Sequence, residues 1–242
     1  MAKYDGLSTE SSCSTVTNKK EEQALDQLKA KAVQEEVCKT AKAMADAGLT
    51  AGTWGNISGR IDDTYMVITP SGMDYSKLTA DQMVITNMKT GEYLGDLKPS
   101  VEVPIHSRLL LTRPEVNGIV HVHSSKALAV AVTRKGIPPI CDDQVQILGG
   151  DIRCADYTFP GSEEMANSVA EALEDRMGAL IANHGSIAMG RTLKEALTAV
   201  TVLEKTAQIW IDVQALGGAV EISKEDCDFF HDFFLNKYGQ KK

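Results

Sequence analysis

Residues 118–125 read GIVHVHSS and set His121 and His123 two positions apart in a short apolar run. Alternate side chains of a strand share one face, so the two imidazoles project together from Cα atoms roughly 6.5–7 Å apart. Zinc–imidazole bonds are about 2.0–2.1 Å long, and two such rings can lean inward onto one metal. The same spacing also suits two buried histidines satisfied by hydrogen bonds, and H-x-H alone does not separate the two. His184 is a third candidate, because it interrupts the apolar run ALIANHGSIAMG just before Gly185, a residue that permits a sharp turn. Three imidazoles with an open fourth position would form a catalytic rather than a closed structural metal site. Glu102 follows LKPSV and opens an apolar helix, where the helix dipole favours its charge; a plain first-turn surface glutamate is the alternative. His106 lies one helical turn after Glu102, and His231 is expected to be solvated among the charges of the last helix.

Two small-residue loops, GTWGNISGR and ITPSG, carry Thr53, Asn56 and Ser71 as donors beside glycines. Such loops can wrap a phosphate in N–H and O–H groups without net positive charge, and ordinary tight turns explain them about as well. Neither has the lysine and spacing of a P-loop. Composition bounds the partners. Lys and Arg number 25 against 33 Asp and Glu, a net charge of −8 with no basic cluster, which argues against nucleic acid or an anionic membrane. No apolar run approaches the roughly 18 residues that would span a bilayer, no signal-peptide core stands at the N-terminus, and a cytoplasmic location is expected. Cys13, Cys38, Cys141, Cys154 and Cys227 are odd in number and scattered, which supports neither a disulfide framework nor a thiolate zinc site.

These candidates need elements to position them. Residues 1–20 are rich in Ser, Thr and Lys and are expected to be a disordered tail, leaving 21–242 as one folded unit. Apolar residues recur at helical spacing from Glu21 to Ala47, with Gly48 as the stop. NISGRI, TYMVITPSG and QMVITNM, with KTGEYLG behind, read as successive antiparallel strands. Helices are expected over Glu102–Thr112, ending before Pro114, and over Ser125–Thr133, Ser162–Arg176 and about Leu193–Leu216. GIVHVHS and the two halves of ALIANHGSIAMG read as buried strands, with a mixed segment between KGIPPI and GGDIRCADY. Ser223 caps a last helix whose apolar face holds Phe229, Phe230, Phe233 and Phe234. Interleaved helices and strands predict one sheet with helices on both faces.

Taken together, GTWGNISGR, ITPSG, KPSVEVPIH, GIVHVHS, IANHG and the terminal KYG occur in an order that resembles the class II, metal-dependent, sugar-phosphate aldolases and their adducin relatives. The resemblance runs from about Glu21 to the C-terminus. It implies a single three-layer α/β/α domain with a central, largely antiparallel sheet, assembled as a homotetramer with each site near a subunit interface. It implies Zn²⁺, or another divalent metal, on His121, His123 and His184. Glu102 is implied to join the metal when the site is empty and to act as base when substrate is bound. Thr53, Asn56, Ser71, Gly72 and Ser100 match positions around a substrate phosphate, and Tyr238 resembles a mobile tyrosine that reaches a neighbouring subunit's site.

Two positions depart from the pattern of the L-fuculose-1-phosphate branch. Val101 stands where a second serine follows the one matched by Ser100, which removes a hydroxyl donor. Asp142 and Asp143 stand where that branch has an active-site tyrosine and the 4-epimerases an aspartate acid/base, so Asp143 joins Tyr238 as a candidate proton donor. The implied reaction is reversible aldol cleavage of a ketose 1-phosphate, of the L-fuculose-1-phosphate type, to dihydroxyacetone phosphate and an aldehyde. A decarboxylase, dehydratase or 4-epimerase of a sugar phosphate on the same scaffold stays open, as does an adducin-like interaction module without chemistry.

Overall fold

A computed structural model describes residues 26–240; the tail expected over residues 1–20 lies outside them. Seven strands form one sheet in the order β3-β2-β1-β4-β7-β6-β5, comprising β1 (Asn56–Arg60), β2 (Tyr65–Ile68), β3 (Val84–Asn87), β4 (Gly118–Val122), β5 (Arg153–Ala155), β6 (Gly178–Ile181) and β7 (Gly185–Gly190). Every neighbouring pair is antiparallel except β5 and β6. The sheet is therefore mixed, which corrects the expectation of a largely antiparallel one at a single edge. The parallel pair arises because α5 (Glu163–Leu173) carries the chain back between β5 and β6, as a parallel crossover requires.

Helices cover both faces. On one face α1 (Gln27–Asp46), α3 (Ser125–Ala131) and α6 (Leu193–Gln214) pack on Ile57, Val67, Val120, Leu180 and Ala188. On the other, α2 (Val103–Thr112) and α5 pack on Met66, Ile68, Ile119, Ala179, Ile187 and Met189. The alternation Ile119, Val120 along β4 shows the sorting rule, since successive strand residues point to opposite faces. His121 and His123, in step with Ile119, therefore lie on the side of α2.

Most expected elements form within a few residues of their predicted bounds. Helix α1 starts at Gln27 because Asp26 Oδ1 accepts from the amides of Leu28 and Lys29 at 3.0 Å, and its buried stripe holds Ala30, Val37, Cys38, Ala41 and Met44 while Leu28 is exposed. KTGEYLG makes no full strand; Tyr93 forms one isolated bridge to Thr86. The mixed segment after KGIPPI contains α4 (Asp142–Leu148) and β5, two short elements with little periodicity to announce them. Ser223 caps α7 (Lys224–Asn236) as expected, yet Phe229, Phe230 and Phe233 are exposed on it. His231 is half-buried rather than solvated, with its Nδ1 donating to the Gln146 carbonyl at 2.8 Å.

Candidate active site

His121 sits opposite Asn56 in the β1–β4 register and opposite Ile187 in the β4–β7 register, in the middle of the sheet and fully buried. His184 lies in the tight turn joining β6 to β7, and the adjacent Asn183 adopts a left-handed conformation at φ 56°. The Arg134 guanidinium holds that turn by donating to Asn183 Oδ1 at 3.0 Å. His123 follows the end of β4, with the Trp54 indole stacked on it at 5.7 Å between centroids.

The three rings converge. His121 Nε2 is 3.0 Å from His123 Nε2 and 3.1 Å from His184 Nε2, close to the separation of about 3.3 Å expected for two nitrogens on one tetrahedral zinc. His121 Nδ1 donates to the Ser186 carbonyl at 2.9 Å, so its Nε2 presents a lone pair to the other rings. Burial first, then the neighbouring imidazoles, push the His123 pKa down to about 3, and burial likewise lowers that of His121. Burial thus favours neutral His121 and His123, and their Nε2 atoms converge with that of His184 as three imidazole nitrogens suited to one metal.

Glu102, at the N-cap of α2, closes the group. Its Oε2 is 3.3 Å from His121 Nε2 and its Oε1 is 3.1 Å from His184 Nε2. Burial tends to raise its pKa, but His121, His184 and the Asn56 amide outweigh this and hold it below the ordinary carboxylate range. Oε2 accepts from Asn56 Nδ2 at 2.6 Å, while Oε1 is buried with no neighbour but the His184 Nε2 and no other group to satisfy it. An orphaned carboxylate oxygen beside three imidazole nitrogens fits a divalent cation, which would satisfy all of them at once.

This cluster lies at the base of a pocket of about 520 Å³ lined by Thr53, Asn56, Ser71, Gly72 and Ser100 together with Glu102, His123 and His184. The structure thus gathers every residue expected near a phosphate around the metal candidates. No lysine or arginine lines the pocket, so an anion there would depend on N–H and O–H donors and on a bound cation. Ser100 is partly committed, since its Oγ accepts from the Glu102 amide at 3.3 Å. Trp54, Val101, Leu128 and Pro160 supply an apolar wall.

Asp143 and Tyr238 are not brought to this pocket within one chain. They line a separate cavity with Met189, Arg191 and Phe234, Asp143 is ion-paired with Lys205, and Tyr238 is largely exposed. Asp142, in the first turn of α4, is exposed as well. Two features of the site escaped the sequence reading: the Trp54 stack, and the burial of His106 behind Asn56 and Ser58. The i, i+4 spacing of Glu102 and His106 on one helix face was the signal for the second.

Comparison with known proteins agrees with this geometry. The profile of the class II aldolase and adducin N-terminal domain matches residues 35–211. The chain belongs to that family. It is 31% identical over 209 residues to the 5-deoxy-D-ribulose 1-phosphate aldolase of Bacillus thuringiensis serovar kurstaki, covering 86% of this chain and 97% of that protein. It is 33% identical to the L-fuculose phosphate aldolase of Escherichia coli strain K12 over 79% of this chain and 88% of that one. A solved L-fuculose 1-phosphate aldolase superposes with a TM-score of 0.80 at 30% identity, covering 84% of this chain and 96% of the other. The chain is a class II aldolase, and its three-histidine cluster with Glu102 could bind a metal.

Proposed function

We propose that the protein cleaves a ketose 1-phosphate reversibly to dihydroxyacetone phosphate and a small aldehyde, with Zn²⁺ on His121, His123 and His184. The observation that carries this reading is the convergence of three imidazole nitrogens and an orphaned Glu102 oxygen at the base of one hydroxyl-lined pocket. When bound, the cation supplies Lewis-acid stabilisation of the negative charge that develops on substrate oxygens. Glu102 accepts the proton from the carbon that becomes nucleophilic, and its placement matters more than its exact pKa. Thr53, Asn56, Ser71, Gly72 and Ser100 bind the phosphate and fix orientation. Trp54, Val101, Leu128 and Pro160 form an apolar wall suited to the apolar end of a deoxy-sugar aldehyde, consistent with relatives named for 5-deoxyribulose 1-phosphate, 5-methylthioribulose 1-phosphate and fuculose phosphate.

Tyr238, rather than the ion-paired Asp143, is the better donor to the aldehyde oxygen, delivered from a neighbouring copy. Residues 21–242 act as one domain in a homotetramer, and assembly would cover the exposed phenylalanines of α7; the mass in solution checks this. The decisive test incubates Zn²⁺-loaded protein and Glu102→Gln with a panel of ketose 1-phosphates and 3-oxo acid phosphates, following triose phosphate, aldehyde and CO₂. Triose phosphate release that collapses in Glu102→Gln is expected. Release of CO₂ alone, or no cleavage of any ketose phosphate, would overturn the reading.

A further inference from the structure

The β1–β4 register places Asn56 and Ser58 opposite His121 and Ile119, on the sheet face that receives α2. Side chains two apart on a strand and four apart on a helix are spaced similarly, about 6–7 Å and about 5–6 Å. Asn56 and Ser58 therefore meet Glu102 and His106 as two facing pairs. Asn56 Nδ2 donates to Glu102 Oε2 at 2.6 Å, Asn56 Oδ1 lies 2.5 Å from His106 Nε2, and His106 Nδ1 lies 2.7 Å from Ser58 Oγ. All four side chains are buried.

We propose that Ser58 and His106 are positioning residues that set the direction of the Asn56 amide, and through it select which Glu102 oxygen is free to take a proton. The chain of bonds has one consistent polarity. A carboxylate only accepts, so the Asn56 NH₂ must face Glu102; a rotated amide would set two acceptor oxygens 2.6 Å apart. The amide oxygen then faces His106, which must donate from Nε2. Its Nδ1 is left bare and accepts the Ser58 hydroxyl proton. With a neutral ring, no other assignment satisfies every atom. The burial that drives the His106 pKa down to about 3 keeps the ring in this neutral form.

Two consequences follow at the site, the first resting on Glu102 being the base. Glu102 Oε2 is tied down, and Oε1, whose one near neighbour is the His184 Nε2 assigned to the metal, is the oxygen that accepts the substrate proton. Second, the Asn56 NH₂ carries another hydrogen, and Asn56 lines the pocket with Thr53 and Ser100, so the same orientation offers that hydrogen to an anionic substrate oxygen. A flipped amide would lose both donations at once.

The test has two arms. In the Zn²⁺-loaded protein with ¹⁵N-labelled histidine, the resonance lost on His106→Gln is expected to be the neutral Nε2–H tautomer, unchanged from pH 6 to 8. A Nδ1–H tautomer or a charged ring would overturn the proposal whatever reaction the enzyme performs. In the second arm, Gln at 106 can present an amide N–H near the Nε2 position and Leu cannot. His106→Leu is expected to lose about tenfold or more of kcat/KM, the worth of the Asn56 hydrogen bond to charged Glu102 that a turned amide forfeits, and His106→Gln to recover most of it, with melting temperature and zinc content compared for both. Equal losses in the two variants would overturn the positioning role. If His106→Leu does not fold, the tautomer measurement still decides. If no substrate is cleaved by any form, the reading of the reaction fails separately from this one.

Discussion

The site depends on backbone as closely as on side chains. Gly55 holds φ +85°, and a Cβ there would meet the His121 carbonyl oxygen at 2.6 Å. Gly55→Ala is therefore expected to lower stability by about 1–3 kcal/mol and to displace β4 beneath the histidines, seen as a lower urea midpoint with weaker metal binding. His106 makes a second prediction. Its folded pKa of about 3 lies below the ordinary value of 6.5, so between those values the unfolded chain binds the extra proton and stability rises with pH. The stabilisation is present above about pH 6.5 and is lost progressively as pH falls toward 3. Urea midpoints measured from pH 7.5 to 5 are expected to fall, and to fall less steeply in His106→Gln. A flat wild-type profile would contradict the neutral buried ring.

At the scale of elements, the site stands on helix ends secured by residues far away in sequence. Helix α3 begins two residues after His123, and its first turn is capped from α6. Glu204 accepts from Ser124 Oγ at 2.6 Å and from the amides of Lys126 and Ala127 at 3.0 and 2.8 Å. A carboxylate there satisfies donors that a helix start leaves open. Glu204→Ala is expected to cost about 1–3 kcal/mol in chemical denaturation and to weaken zinc retention on dialysis, while Glu204→Gln loses less. Helix α2 is pinned at its other end, where Arg60 donates to the carbonyls of Leu110, Arg113 and Val116. That contact fixes the axis along which Glu102 and His106 point at β1.

For the whole molecule, the pocket joins β1, β4, the β6–β7 turn and α2, elements spread from residue 53 to residue 184. A cation shared by His121, His123 and His184 would tie the sheet centre to its following turns. Because such an ion binds the folded chain and not the unfolded one, 100-fold excess over its dissociation constant would contribute about 2.7 kcal/mol. Chelation is expected to lower the melting temperature and Zn²⁺ to restore it, with His184→Ala insensitive to both; a chelator-independent melt would count against a bound metal. No helix among the described residues is long and apolar enough to cross a membrane.

Local patterns in the sequence determined a good part of this protein. The H-x-H spacing of His121 and His123, the strand break at His184 and the small-residue loops around Asn56 and Ser71 are short-range signals, governed by the two-residue period of a strand and by turn chemistry. Order among those motifs carried the family, and through it Glu102. Tertiary structure alone decided the rest. The parallel β5–β6 edge, the meeting of Glu102 and His106 with Asn56 and Ser58, the Trp54 stack and the Glu204 cap each join segments tens of residues apart. The placement of Asp143 beside Lys205 and away from the histidines belongs here too. Hydrophobic periodicity says which face a residue takes; only the register of neighbouring strands and the packing of a helix across them say which partner it meets.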